Sequence, residues 1–263
     1  MDYFDTHAHL DQEEFDADRD AVIDRARRAG VKTILCVGIS VGSSRWAIAL
    51  AETHREVLAA VGIQPNHCAE ADDDDWDRIV AMADNPRVVA LGETGLDRHW
   101  DFSPLELQQA YFDRHLRLAQ RLDLPVVIHC REAEADLMPM LREAVRRGPL
   151  SGVVHSFSGD RPMAEECLRL GLYLSFSGAV TYTNKKFRPL RELAAGIPAD
   201  RILIETDSPY LTPHPLRGKQ NRNEPANVAL TAASLAELRH EDPGEFAAAT
   251  TANARRLFRR GKS

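Results

Sequence analysis

The strongest constraint on the fold is an alternation that runs the length of the chain. Short apolar segments start at Tyr3 and recur over 33–37, 58–62, 88–92, 124–129, 152–155, 173–176 and 201–205. Between them lie stretches whose apolar residues return every three or four positions, the period of an amphipathic helix. Helices are expected over 15–29, 43–54, from about Trp76, from Ser103, and over 133–147, 163–170 and 187–195. Two more, over 226–238 and 244–258, close the chain. At the fourth helix Ser103 reads as the N-cap, with Pro104 at the first position and Glu106 completing a capping box. The apolar segments lack strict period-two alternation, so both of their faces are expected to be buried, as in a parallel sheet covered by helices.

Eight such units in 263 residues, 44% of them hydrophobic, fit a single-domain α/β chain folded as a (β/α)8 barrel of the TIM type over 1–263. A doubly wound open sheet is the competing architecture, but no Gly-x-Gly-x-x-Gly turn follows the first segment. No apolar run approaches the roughly 18 residues of a membrane span, and the N-terminus opens on acidic residues rather than a signal peptide. The four cysteines (Cys36, Cys68, Cys130 and Cys167) are far apart and read as buried thiols of a reducing compartment. A cytoplasmic monomer without membrane contact is expected. The net charge of −7 argues against a tight, extended nucleic-acid surface, yet allows a phosphate to be met briefly at a metal centre.

Polar residues gather where the apolar segments end. Asp5, His7 and His9 alternate along the first, so they share one side of a strand. A lone His-x-His fits two ordinary polar histidines as well as half a metal site. Glu93, His129, His155 and Asp207 follow the fourth, fifth, sixth and eighth segments, however, and in a barrel all these ends converge on one mouth. Four histidines and two carboxylates there are hard to explain structurally, because barrel cores favour branched apolar residues. Six ligands exceed one tetrahedral zinc and fit two divalent ions sharing a carboxylate. A carbamylated lysine can bridge ions in related barrels, but none of the five lysines (Lys32, Lys185, Lys186, Lys219 and Lys262) ends a strand, which leaves Glu93 as the bridge. Imidazole-rich ligation favours zinc, manganese or iron, and carboxylates with water keep magnesium open.

These stretches resemble the TatD family of metal-dependent deoxyribonucleases, within the amidohydrolase superfamily of (β/α)8 barrels. The resemblance rests on six stretches in family order: Asp5 to Asp11, Gly92 to Asp97, Val127 to Arg131, His155 to Gly159, Ile204 to Leu211 and Asn223 to Asn227. It implies that His7, His9, Glu93 and Asp207 hold one metal, and Glu93, His129 and His155 the other. Gln64 stands where the family usually has histidine, Arg98-His99-Trp100 where it often has aromatics, and Gln220 and Asn221 extend the segment before Arg222. The activity implied is hydrolysis of DNA, single-stranded DNA first, by a metal-bound hydroxide at a two-metal centre, with the nucleic acid bound only transiently. Glu93 and Asp207 are the candidate catalytic groups, Asp207 also orienting or deprotonating the water. Asp5 and Glu205, each two residues before a ligand, suit a bracing role beneath the metals. Arg131, Gln64, His99 and Arg222 are candidates for substrate contact, with Asp11, Asn66 and His67 on neighbouring loops. Lys185, Lys186, Arg217 and Lys219 could add a basic rim. The same ligands could instead serve an ester or amide hydrolase such as a D-aminoacyl-tRNA deacylase. A metal-binding scaffold without turnover is the third reading.

Overall fold

Each apolar segment forms a strand: β1 (Tyr3–Ala8), β2 (Val31–Val37), β3 (Val57–Val61), β4 (Val88–Asp97), β5 (Val126–Arg131), β6 (Gly152–Val154), β7 (Tyr173–Phe176) and β8 (Ile202–Ile204). The computed structural model describes residues 1–220 and 222–259, so Asn221 and Lys262 lie outside the described residues. The strands line up in chain order in one eight-stranded sheet with every neighbouring pair parallel. Parallel neighbours need a crossover, and helices supply it. They are α1 (Arg19–Arg28), α2 (Val41–Thr53), α3 (Asp75–Met82), α4 (Leu105–Leu122), α5 (Glu134–Arg147), α6 (Arg161–Arg169), α7 (Arg188–Ala195), α8 (Val228–Arg239) and α9 (Pro243–Leu257). The architecture is the expected (β/α)8 barrel. No described helix is long and apolar enough to cross a membrane.

The sheet curls until β1 meets the chain beyond β8. The His9 N–H donates to the Ser208 carbonyl (2.8 Å) and the Asp207 N–H to the His7 carbonyl (2.9 Å). Two apolar layers follow from this closure. An inner set takes residues from all eight strands, among them Phe4, Leu35, Ala60, Val89, Val127, Val153, Tyr173 and Leu203. It is completed by Leu257 of α9 and by Phe258, whose ring lies 5.7 Å from that of Phe4. The outer set, including Ile34, Val61, Leu91, Phe112, Leu137 and Leu235, fills the space between sheet and helices. Burying each large side chain contributes about 1.5–3 kcal/mol.

Three local expectations differ from the structure. Ser103 does not cap α4. The N-cap is Pro104 and carries no side-chain bond, while Ser103 Oγ accepts the Ala69 N–H (3.0 Å), tying two loops of the mouth together. The fourth strand runs on through Glu93 to Asp97 instead of ending at Gly92, because 94–97 keep pairing with 128–131. The first helix starts at Arg19, after a separate 3-10 turn at Glu13–Phe15.

Buried polar side chains of α4, Gln108 and His115 among them, join the helix to the mouth. His115 is fully buried; its Nδ1 meets the Tyr111 carbonyl (2.7 Å) and its Nε2 accepts the Ile63 N–H (3.2 Å). Burial pushes its pKa down to about 4 from the ordinary 6.5, so the ring is neutral at pH 7. Between those values the unfolded chain binds the extra proton, so the stabilising increment is complete above pH 6.5 and is lost as pH falls towards 4. The slope is at most about 1.4 kcal/mol per pH unit. His115→Gln can keep both hydrogen bonds without titrating. Its denaturant-derived stability is expected to fall less steeply than the wild type's across that window.

Candidate metal centre

Four strands and the turn after β8 aim polar side chains into the mouth. His7 lies in β1 and His9 just past it, Glu93 in β4, His129 in β5, His155 directly after β6 and Asp207 after β8. Two glycines make room for Glu93. Gly92 (φ +135) and Gly95 (φ +139) hold backbone angles that L side chains rarely adopt. A Cβ on Gly92 would stand 2.6 Å from the Val127 carbonyl oxygen, and one on Gly95 would collide with that of His129. The Gly-Glu-Thr-Gly stretch is therefore a backbone requirement as well as a source of one carboxylate. Asp207 has φ 53, an uncommon value for a non-glycine residue, and its N–H is spent on the barrel seam.

The six side chains divide around Glu93. Its Oε2 lies 3.4 Å from His7 Nε2 and 3.5 Å from His9 Nε2. Those two nitrogens are 3.1 Å apart and stand 3.8 and 3.5 Å from Asp207 Oδ1. Its Oε1 lies 2.8 Å from His129 Nδ1 and 3.1 Å from His155 Nε2, which are 3.3 Å apart. Donors about 2.0–2.2 Å from a tetrahedral ion stand about 3.3–3.6 Å from one another; three of these separations lie at 3.4–3.5 Å, with His7–His9 shorter (3.1 Å) and His7–Asp207 longer (3.8 Å).

Supporting bonds turn the lone pairs of His9 and His129 inward, whereas Nδ1 of His7 and of His155 has no hydrogen-bond partner among the described residues. His9 Nδ1 meets the Val37 carbonyl (3.0 Å), which leaves its Nε2 lone pair for the mouth. His129 Nε2 donates to Asp97 Oδ2 (2.9 Å), so its Nδ1 lone pair faces Glu93 Oε1. His155 Nδ1 lies 3.5 Å from Glu205 Oε1, and its Nε2 faces Glu93. Acceptors at such distances repel unless a cation, proton or metal, stands among them. The electrostatics agree. Burial works against a charged His9, yet its bond with Asp207 and the charge of Glu93 lift it to about 9. His155 is also raised against burial by Glu93 and Glu205, and His129 by Asp97 and Glu93. His7 is lowered by burial and by the facing His155. Glu93 and Asp207 are both held below the usual carboxylate range, burial being outweighed by the surrounding imidazoles. The cluster demands positive charge, and the donor set suits divalent metal.

The bracing residues act in different ways. Glu205 accepts the Ser156 N–H (2.6 Å), and its Oε1 lies 3.5 Å from His155 Nδ1. Asp5 hydrogen-bonds no imidazole. It accepts the Thr206 N–H (2.8 Å) and hydroxyl (2.6 Å), holding the backbone next to Asp207. Asp97, which no sequence signal marks beyond its place in the Gly92–Asp97 stretch, holds His129 (2.9 Å) and Asn66 Nδ2 (3.1 Å) through Oδ2. Its place four residues after Glu93, in a strand that continues past the ligand, was the available signal.

The four expected substrate contacts lie on the rim, outside the ligand cluster. Gln64 Oε1 caps the turn at Pro65–Glu70 through the Asn66 N–H (2.9 Å). His99 pairs with Glu132 (2.8 Å), and Arg131 lies over the Trp100 ring. Arg222 is engaged elsewhere, paired with Asp18 (2.8 Å) and lying over Phe15. Of the other loop candidates, Asp11 accepts the Ser43 hydroxyl (2.7 Å) and His67 pairs with Glu70 (2.9 Å). Of the basic rim, Arg217 lies 3.8 Å from the Tyr182 ring centroid and Lys186 over Phe187.

A sequence model of the family described as TatD related DNase matches residues 4–259. Over 256 residues the chain is 42% identical to a Bacillus subtilis (strain 168) protein named uncharacterized metal-dependent hydrolase YabD, covering 97% of this chain and 98% of that protein. Over 258 residues it is 39% identical to a protein of Erwinia tasmaniensis named 3'-5' ssDNA/RNA exonuclease TatD, covering 97% and 99% respectively. The fold is similar to the crystal structure of YJJV, a TatD homolog from Escherichia coli K12, with a TM-score of 0.90, 33% identity and 97% of each chain covered.

Asp97 provides a test of the centre. Loss of a carboxylate supporting a ligand histidine typically costs about 10- to 100-fold in metal affinity. Asp97→Ala is expected to weaken zinc binding by that factor in a competitive chelator titration, while the far-ultraviolet circular dichroism stays that of the wild type.

Proposed function

The chain belongs to the TatD-related DNase family and is a metal-dependent hydrolase, and from that premise we propose that it hydrolyses phosphodiester bonds of single-stranded nucleic acid, DNA first, at a two-metal centre. The observation that carries this reading is the division of Glu93, with Oε2 towards His7 and His9 and Oε1 towards His129 and His155. His7, His9 and Asp207 with Oε2 would hold one divalent ion, and His129 and His155 with Oε1 the other; zinc, manganese and magnesium are the candidates. Bound there, such ions supply Lewis acidity to a phosphoryl oxygen and lower the pKa of water.

The protein's own groups do the remaining work. Asp207 is the more open of the two carboxylates, its side chain 13% exposed against 3% for Glu93. Ionised and facing the mouth, it orients the attacking water and accepts its proton. Glu93 stays buried and shares its charge between the two sets of ligands. Asp97 fixes the tautomer of His129, so its Nδ1 lone pair remains directed inward without reorganisation, and Glu205 places its carboxylate 3.5 Å from His155 Nδ1. The name of the Erwinia relative supports single strands as substrate. The net charge of −7 suits a strand that is bound briefly and released.

Metal-loaded protein is expected to shorten a labelled single-stranded oligonucleotide, and chelation by EDTA to stop it. Glu93→Ala removes the group shared by both ligand sets, so its rate should drop by more than the roughly 100-fold typical of a supporting residue. Wild-type rates in Glu93→Ala of equal purity would sink the reading. Release of amino acid from aminoacyl-tRNA, with no cut in either nucleic acid, would redirect it to ester hydrolysis.

A further inference from the structure

Among the described residues few large hydrophobic side chains are exposed, and two of them stand together in the loop after β4. Trp100 is 45% and Phe102 60% exposed, both in the loop that leads from β4 to α4 at the mouth of the barrel. Their rings are nearly parallel (10°), with centroids 5.5 Å apart. Water does not favour leaving two stacked aromatic faces uncovered, and an exposed aromatic pair at a functional mouth calls for an occupant. Phe102 has no other ring contact among the described residues, so the stack is open at that end. On Trp100 lies the Arg131 guanidinium, 5.6 Å from the ring centroid and without an ion pair among the described residues. Stacked aromatic faces next to a free cation match a base and its phosphate.

The loop is not loosely attached. Asp97 Oδ1 accepts the N–H groups of His99 (2.8 Å) and Trp100 (3.1 Å), while Oδ2 of the same carboxylate holds His129. One side chain therefore fixes the distance between the aromatic stack and a metal ligand. We propose that Trp100 and Phe102 form a docking platform for an unpaired nucleobase, with Arg131 at its edge for the backbone phosphate, so that the neighbouring phosphodiester is presented to the metal centre. This rests on the reading of that centre as a phosphodiesterase. A base inside a duplex is already covered by its neighbours on both faces, so the platform selects single strands. Because every base has a π face, it tolerates any sequence.

The test is binding of a fluorescent oligothymidylate joined by phosphorothioate linkages, which resist hydrolysis, to the metal-loaded protein, beside an abasic oligomer of the same backbone. Phe102→Ala is expected to weaken binding of the base-bearing oligomer about 5- to 100-fold and to leave the abasic one unchanged. Phe102→Tyr should keep the wild-type affinity, and Phe102→Leu, apolar but without a ring, should behave as Phe102→Ala. Wild-type affinity in Phe102→Ala, or full rescue by leucine, overturns the platform. Hydrolysis of an ordinary oligonucleotide by Phe102→Ala with wild-type KM overturns the platform alone. Stack-dependent binding by a wild type that cuts no phosphodiester overturns the nuclease reading and supports the platform.

Discussion

The structure depends on the seam where its first strand meets the chain beyond its last. A parallel barrel must join segments about two hundred residues apart, and here the joint is polar and buried. Asp5 accepts both the N–H and the hydroxyl of Thr206, Thr6 donates to the Ile204 carbonyl (3.0 Å), and Asn223 Nδ2 holds the Thr206 carbonyl (2.9 Å). In a low-dielectric interior these bonds strengthen one another, and leaving one unmade would cost about 1–3 kcal/mol. The backbone groups that close the seam belong to His7, His9, Asp207 and Ser208. Closing the barrel and assembling half of the candidate ligand set are thus a single event.

The other half is organised by β4. Its glycines let the backbone run against β5, and the strand continues past Glu93 far enough to bring Asp97 beneath His129. Asp97 then serves two ends, a ligand tautomer through one oxygen and the Trp100 loop through the other. The histidine cluster and the Trp100 loop hang from the same carboxylate, which keeps their separation fixed. Charge follows the same logic. Burial opposes ionisation of every group in the mouth, yet imidazoles and carboxylates are close enough to overrule it in most of them.

Much of this was legible in the sequence because barrel strands write themselves plainly. Apolar runs such as Val88 to Leu91 or Ile202 to Ile204 have no solvent face, so they stand out between helices with a clear period. The gathering of polar groups was legible for a related reason, since His129, His155 and Glu93 each interrupt or end an apolar run at one mouth of the barrel. What failed was local. Ser103 has the sequence of an N-cap, but its hydroxyl is taken by the Ala69 N–H on another loop, a partner 34 residues away. Arg222, a candidate for substrate contact, is paired with Asp18 and lies over the Phe15 ring, some two hundred positions earlier.

By itself the sequence determined the barrel, the order of its strands and the six residues that gather at one mouth, because hydrophobic period and strand parity are local properties carried by neighbours. Tertiary structure alone decided how those six are shared, with one oxygen of Glu93 for each pair of histidines. It also decided that Asp5 braces the seam rather than an imidazole, and that Asp97 links a ligand to the Trp100–Phe102 stack. These are contacts between side chains far apart in the chain. Their geometry is set by where the closed sheet brings each strand end, and no spacing along the sequence encodes it.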